Sequence, residues 1–145
     1  MTLKIKKLDE NAVIPEYQTE GAACFDLVAI SKDYLMLPVG PTYQYGTGLA
    51  FEIPEGHVGL VFPRSSVTER TTLALGNAVG VIDSDYRGEV IFKFRKTNPM
   101  FQKDYKVGDR IGQMMVLPIP SVSIEVVEEL SETKRGTNGY GSTGE

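Results

Sequence analysis

The chain has 145 residues, one domain's worth, of which 41% are apolar and 23% charged. That balance excludes a disordered chain, and 15 glycines with 8 prolines argue against a helical bundle. A formal charge of −4 gives no basic footprint for nucleic acid, so no nucleic-acid partner is expected, and any anion site must be local or must borrow a metal ion.

From the N-terminus onward the sequence falls into short runs of strand length, rich in β-branched and aromatic residues and closed by turn residues. The first is residues 3–8 (LKIKKL). No apolar segment of signal-peptide length follows the basic residues there. No run in the chain approaches the roughly 18 apolar residues of a membrane span. A soluble protein that stays in the cytoplasm, or in the host's cytoplasm if it is viral, with no membrane partner, is therefore expected. Residues 24–30 (CFDLVAI), 34–38 (YLMLP), 48–54 (GLAFEIP) and 57–63 (HVGLVFP) continue the series. Residues 65–72 (SSVTERTT) hold the one place for a short helix, with Ser65 or Ser66 as N-cap and Glu69 in the first turn. Residues 88–94 (GEVIFKF), 111–119 (IGQMMVLPI) and 123–130 (SIEVVEEL) come next, and a last strand from Val122 to Leu130 is expected to pack against a neighbour. Many short strands with prolines near their ends predict an all-β sandwich or barrel over residues 1–130. Residues 131–145 are glycine-rich with a single aromatic, too little to fold alone, and predict a mobile C-terminal arm. Cys24 has no second cysteine to pair with, and with His57 alone there is no Cys/His zinc set.

Four segments carry chemistry. In residues 63–66 (PRSS), Arg64 and the hydroxyls of Ser65 and Ser66 stand at a helix start, a combination that holds an anion, although the plain alternative is an N-cap beside a solvated arginine. In residues 75–90 (LGNAVGVIDSDYRGEV), Gly80 and Gly88 bracket Val81, Ile82 and an acidic turn, and the pattern reads as a β-hairpin. Asp83 ends its buried strand, where a carboxylate can act as general base or hold a water for attack. Asp85 reads as turn chemistry, and Tyr86 as a ring for stacking or packing. In residues 109–118, Gln113 sits among apolar neighbours and needs partners, Gly112 permits close approach of a backbone, and Asp109 with Arg110 reads as a surface pair. Residues 135–144 (RGTNGYGSTG) offer open backbone N–H groups, the charge of Arg135 and the hydroxyls of Ser142 and Thr143, without the ending of a Walker A loop. Tyr140 gives that arm an aromatic face for a flat ring. Asp26, acidic on an apolar strand, is placed to reach a metal through water. The set describes a nucleoside triphosphate with a divalent metal, and spacing alone stops at a nucleotide hydrolase or binder.

The sequence resembles the trimeric deoxyuridine triphosphatase (dUTPase) family, whose five motifs stand in order at 21–29 (GAACFDLVA), 63–66, 76–89 (GNAVGVIDSDYRGE), 108–116 (GDRIGQMMV) and 135–144. The resemblance implies a jelly-roll-like fold and a homotrimer with active sites shared between subunits and closed by the arm. It implies Mg²⁺-dependent hydrolysis of dUTP to dUMP and pyrophosphate, which supplies dUMP for thymidylate synthesis and keeps uracil out of DNA. By motif position, Asp83 matches the aspartate that activates the attacking water, and Arg64, Ser65, Ser66 and Gln113 match the phosphate contacts. Asn77 and the segment from Val81 and Ile82 to Ile91 match the uracil pocket, and Tyr86 matches the ring under the deoxyribose. Arg135 matches the arginine on the terminal phosphate, Tyr140 the aromatic over uracil, and Asp26 a residue of the metal's water shell. Two positions depart from the family's pattern. Cys24 stands where motif one usually has glycine, and Tyr140 where motif five usually has phenylalanine, a change that keeps the stacking face. The related dCTP deaminases carry a glutamate ten positions after the hairpin aspartate, where this chain has Lys93, and a glycine where it has Asp85. The remaining alternative is a dUTPase-like nucleotide-binding regulatory module without strong catalysis, which would be expected to lose Asp83 or the arm.

Overall fold

The structure is a computed structural model that describes residues 1–38, 40–98, 100 and 103–139. Apolar runs become strands where alternate side chains have a core to enter. In chain order these are β1 (Lys4–Lys7), β2 (Phe25–Val28), β3 (Ser31–Leu37), β4 (Gly40–Gly46), β5 (Leu49–Glu52) and β6 (His57–Phe62). A single helical turn, α1 (Val67–Arg70), separates them from β7 (Leu73–Leu75), β8 (Gly80–Ile82), β9 (Ile91–Lys96) and β10 (Arg110–Pro118). One sheet runs β2–β10–β6–β8, a second runs β3–β4–β9–β7, and β1 with β5 makes a small third. Every pairing is antiparallel. This is the expected all-β, jelly-roll-like architecture with one short helix. No helix among the described residues is long and apolar enough to cross a membrane.

The pleat decides what each strand contributes. β2 sends Phe25 and Leu27 inward and turns Asp26 away, while β9 buries Phe92 and Phe94 and leaves Ile91, Lys93 and Arg95 outside. Ile111 and Met114 of β10 and Tyr45 of β4 join them in one core shared by both large sheets. A bulge between Arg110 and Gly112 breaks the strict alternation of β10, so Ile111 and Gly112 are both buried. A side chain at Gly112 would run into the ring of Phe92 from the opposite sheet and lie 3.0 Å from the Phe62 carbonyl oxygen. Glycine there sets how closely the sheets approach.

Three expectations change. β4 and β7 have no counterpart among the runs expected from sequence; β4 holds Pro41 at its end, opposite Met36 on the neighbouring strand. Residues 80–96 are not a hairpin: β8 pairs with β6 and β9 pairs with β4 and β7, so the acidic turn crosses between sheets. The strand expected from Val122 to Leu130 does not form. Its Ile124 and Val126 are 93% and 95% exposed, and among the described residues the segment pairs with no edge strand of the sheets.

Candidate active site

Residues 63–66 leave the end of β6, and Val67, buried at the start of α1, anchors the segment from its far side. Ser66 occupies the N-cap position as expected, but its side chain makes no capping bond. Four helical residues carry little dipole. The anion-holding power of the segment therefore rests on the Arg64 guanidinium and the hydroxyls. Arg64 Nε donates to Asp26 Oδ1 at 3.1 Å, and Arg110 Nη1 donates to Asp26 Oδ2 at 3.0 Å and to Gln18 Oε1 at 2.9 Å. Arg110 thus pairs with Asp26 and not with Asp109, which corrects the surface pair expected from sequence. The cluster of two arginines on one mostly buried carboxylate keeps a net positive charge beside the segment.

Gln113 lies in register between Asp26 on β2 and Phe62 on β6, and its Nε2 donates to the Pro63 carbonyl at 3.0 Å. The half-buried amide has found its partner at the residue that follows the end of β6. Arg64, Ser65 and Gln113 line one open cleft of about 620 Å³, with Cys24, Thr68 and Ala78 around them. Burial, and then the Asp26 carboxylate, push the Cys24 thiol above its ordinary pKa. Ser66 turns the other way and lines a different cleft.

The second group gathers around the crossing loop. Val81, Ile82, Asp83, Tyr86, Ile91 and Lys93 line a cleft of about 330 Å³. Its floor is held by Val90, whose N–H donates to the Leu49 carbonyl at 2.9 Å and whose carbonyl accepts from Thr47 Oγ1 at 2.7 Å. Glu89 Oε1 accepts from the Gly48 N–H at 2.7 Å. Tyr86 Oη donates to the Glu89 carbonyl at 3.1 Å, and its ring lies over Gly88, where any Cβ would collide with it. Asp83 is exposed at the cleft mouth and closes the turn by accepting the Tyr86 N–H at 3.2 Å with its carbonyl. Asn77 opens onto an adjoining cleft that shares Ile91 and Lys93. Its loop turns through Ala78, which has φ of 61°, a left-handed conformation rarely taken by a residue with a Cβ.

Among the described residues, none lines both the phosphate-segment cleft and the crossing-loop cleft. The sequence-derived set is therefore brought together as two halves. Arg135 joins neither: its Nε donates to the Asn138 carbonyl at 2.9 Å inside a turn of the arm. Tyr140, Ser142 and Thr143 lie outside the described residues. Sequence reading used Lys93 only to set the deaminases aside, and placed neither Lys93 nor Ala78 at a cleft. The exposed face of β9, alternating Ile91–Lys93–Arg95, carried the signal for the first; nothing local marks Ala78, since glycine is the usual sign of a left-handed turn.

The dUTPase family model matches residues 10–144. The chain belongs to the dUTPase family. A deoxyuridine 5'-triphosphate nucleotidohydrolase of Nautilia profundicola is 45% identical over 145 residues, with 99% of each chain covered. A dUTPase variant of Staphylococcus bacteriophage 80alpha, solved with dUpNHpp, superposes with a TM-score of 0.84 at 28% identity, covering 99% of this chain and 98% of that one. The dUTPase of phage phi11 of S. aureus, described with a structural Mg(II) ion, superposes with a TM-score of 0.75 at 25% identity, covering 89% of this chain and 98% of that one. The matched span of the dUTPase model includes all five motifs, from residues 21–29 to residues 135–144.

Proposed function

We propose that this dUTPase-family chain hydrolyses dUTP to dUMP and pyrophosphate, in the cytoplasm, supplying dUMP for thymidylate synthesis and keeping uracil out of DNA. The observation that carries the reading is Asp83, a carboxylate at the mouth of a nucleoside-sized cleft walled by the backbone of β8 and the Tyr86 ring. Uracil is read by backbone donors and acceptors from Val81 to Ile91, with Asn77 beside them, as a base partner would read it; cytosine presents the opposite pattern. Tyr86 packs under the deoxyribose, where a 2′-hydroxyl would clash. Asp83 takes a proton from water as the water oxygen bonds to the α-phosphorus, and the bond to the bridging oxygen of the β-phosphate breaks. Arg64, Ser65 and Gln113 hold the triphosphate with their side chains, Ser66 adjoins it through its backbone alone because its hydroxyl turns to the other cleft, and Arg135 and Tyr140 close from the arm, residues 131–145, over the domain of residues 1–130. The work is positioning and charge neutralisation.

Among the described residues no three His, Cys, Asp or Glu side chains converge on a metal. Asp26 accepts one arginine bond on each oxygen and keeps lone pairs for water. That donor set fits an Mg²⁺ ion carried by triphosphate oxygens and met through water, not a cage of protein ligands. When bound, such an ion neutralises the triphosphate's charge and polarises the phosphorus under attack.

The two separate halves support a homotrimer in which the phosphate segment of one subunit faces the crossing loop of the next. The exposed alternation at Val122, Ile124 and Val126 supports strand pairing of that segment with a neighbouring copy. The test is pyrophosphate release from dUTP with Mg²⁺, beside dCTP, dTTP and UTP, for wild type and Asp83→Asn. Release from dUTP alone, lowered by about 10²–10⁴ in the variant, is expected. Silence with every nucleotide would leave a binding module, and ammonia from dCTP would point to a deaminase.

A further inference from the structure

Residues 63–66 form a wall between two clefts. Ser65 lines the front cleft, which Gln113 shares, Ser66 lines a cleft behind it of about 290 Å³, and Arg64 lines both. Among the described residues, Ser66 Oγ and Tyr105 Oη are the only buried side-chain polar atoms without a hydrogen-bond partner. Both residues line this rear cleft. Tyr105 is 5% exposed, its ring held edge-on by Tyr45 and Phe94. Its phenol is thus fixed by packing with its hydrogen-bonding capacity unused.

A buried hydroxyl without a partner is costly, and two at one cleft are not accounted for by packing. The charges point to what completes them. Arg70 also lines the cleft and makes no ion pair among the described residues. Burial raises the pKa of the Tyr105 hydroxyl and Asp109 adds to the rise, while the fields of Arg64 and Arg70 both reach the hydroxyl and oppose it. Two carboxylates stand in the same wall: Asp104 is paired with Lys32, whereas Asp109 accepts only the backbone N–H of Lys106 at 2.7 Å and keeps its charge, which the wall's three arginines, Arg64, Arg70 and Arg110, outweigh. The unsatisfied groups are therefore two hydroxyl donors and one guanidinium, a set that matches a tetrahedral oxyanion.

We propose that the rear cleft is a second oxyanion site, separate from the front phosphate segment, in which Arg70, Ser66 and Tyr105 hold a phosphoryl group of inorganic phosphate or pyrophosphate. Because Arg64 lines both clefts, an anion at the rear competes for the guanidinium that faces the front, and KM for dUTP rises with phosphate. That consequence rests on the proposed function; the binding does not.

The test is calorimetric titration of the full-length protein with inorganic phosphate and, separately, pyrophosphate. Wild type is compared with Arg70→Gln, with Tyr105→Phe, and with a front variant carrying Ser65→Ala and Gln113→Ala. Phosphate is expected to bind wild type and the front variant alike, and about tenfold more weakly once Arg70 or the Tyr105 hydroxyl is removed. Tighter binding of pyrophosphate to the front variant would identify the reaction's product as the occupant, and equal binding would identify free phosphate. Tyr105→Phe keeps the packed ring, so in phosphate-free buffer it is expected to melt no lower than wild type. Identical titrations in all four proteins, loss confined to the front variant, or a lower melting temperature for Tyr105→Phe without phosphate would each overturn the site. For the kinetic consequence, phosphate raises KM in wild type but not in Arg70→Gln. If Arg64→Ala leaves KM for dUTP unchanged, the role of Arg64 in substrate binding fails while the rear site stands.

Discussion

Tyr86 and Gly88 work as one unit. The tyrosine ring folds back over the glycine two positions on, and a methyl group there would lie within 2.5 Å of its Cζ. Gly88→Ala must swing the ring off the position proposed for the sugar and break its bond to the Glu89 carbonyl. The expected result is a fall of about tenfold in the kcat/KM preference for dUTP over UTP, read by pyrophosphate release with each nucleotide. Tyr86→Phe keeps the ring where it is, loses one hydrogen bond worth about 1 kcal/mol and should keep the preference. An unchanged preference in Gly88→Ala would remove the ring from the specificity argument. Cys24 gives a second residue-scale prediction. Burial and then Asp26 raise its pKa, so at any given pH it holds less thiolate than a free cysteine. Its alkylation by iodoacetamide should be slower than that of free cysteine and should climb between about pH 7 and pH 10 without an early plateau. For stability the sign is fixed by the same shift: a raised folded pKa contributes stability that is complete below the unfolded value and is lost as pH rises through the folded one. A labelling rate that levels off below the ordinary thiol value of 9.0 would contradict the shift.

At the scale of elements, the bulge in β10 and Gly112 fix the distance between the two large sheets. Gly112→Ala sets a methyl group against the Phe92 ring and the Phe62 carbonyl, and neither can yield without opening the core. Overpacking of this kind is expected to cost about 1–3 kcal/mol, measured as a lowered urea midpoint with an unchanged slope. Ala at the open turn of Gly21, where nothing lies within 4 Å, is the control and should have little effect. The same elements show how far the sequence could be read. Alternation of apolar residues announced β2, β9 and β10, because the pleat is a property of a single strand. It could not announce which strands pair. Residues 80–96 look like a hairpin locally, yet the buried anchors Thr47, Leu49 and Val90 pull β9 into the other sheet. Residues 122–130 look like a strand, yet alternation does not say which edge a strand will join, and among the described residues they pair with none of β2, β3, β7 and β8.

At the scale of the molecule, the motifs named the candidate site residues, but not that the chain would divide them. Arg64 and Gln113 are placed by β6 and β10, and Asp83 with Tyr86 by the crossing loop; their clefts share no lining residue among the described residues. No local pattern records the distance between two loops, which is set by how the sheets close. A division of this kind makes a strong prediction about assembly. Suppose one variant carries Arg64→Ala and Gln113→Ala, and a second carries Asp83→Asn. In the proposed assembly each homotrimer is inactive, since every site lacks one half. When the two are unfolded together and refolded as mixed trimers, a site is intact where the phosphate half of an Asp83→Asn subunit meets the crossing loop of a neighbour that retains Asp83. In a closed ring of randomly mixed subunits this occurs at about a quarter of the sites, so about a quarter of wild-type activity should return. Intact halves within one chain would give no recovery at any mixing ratio. Recovery should follow the product of the two variants' fractions, with its maximum at an equal mixture, and that curve measures directly whether neighbouring subunits complete one another's active sites.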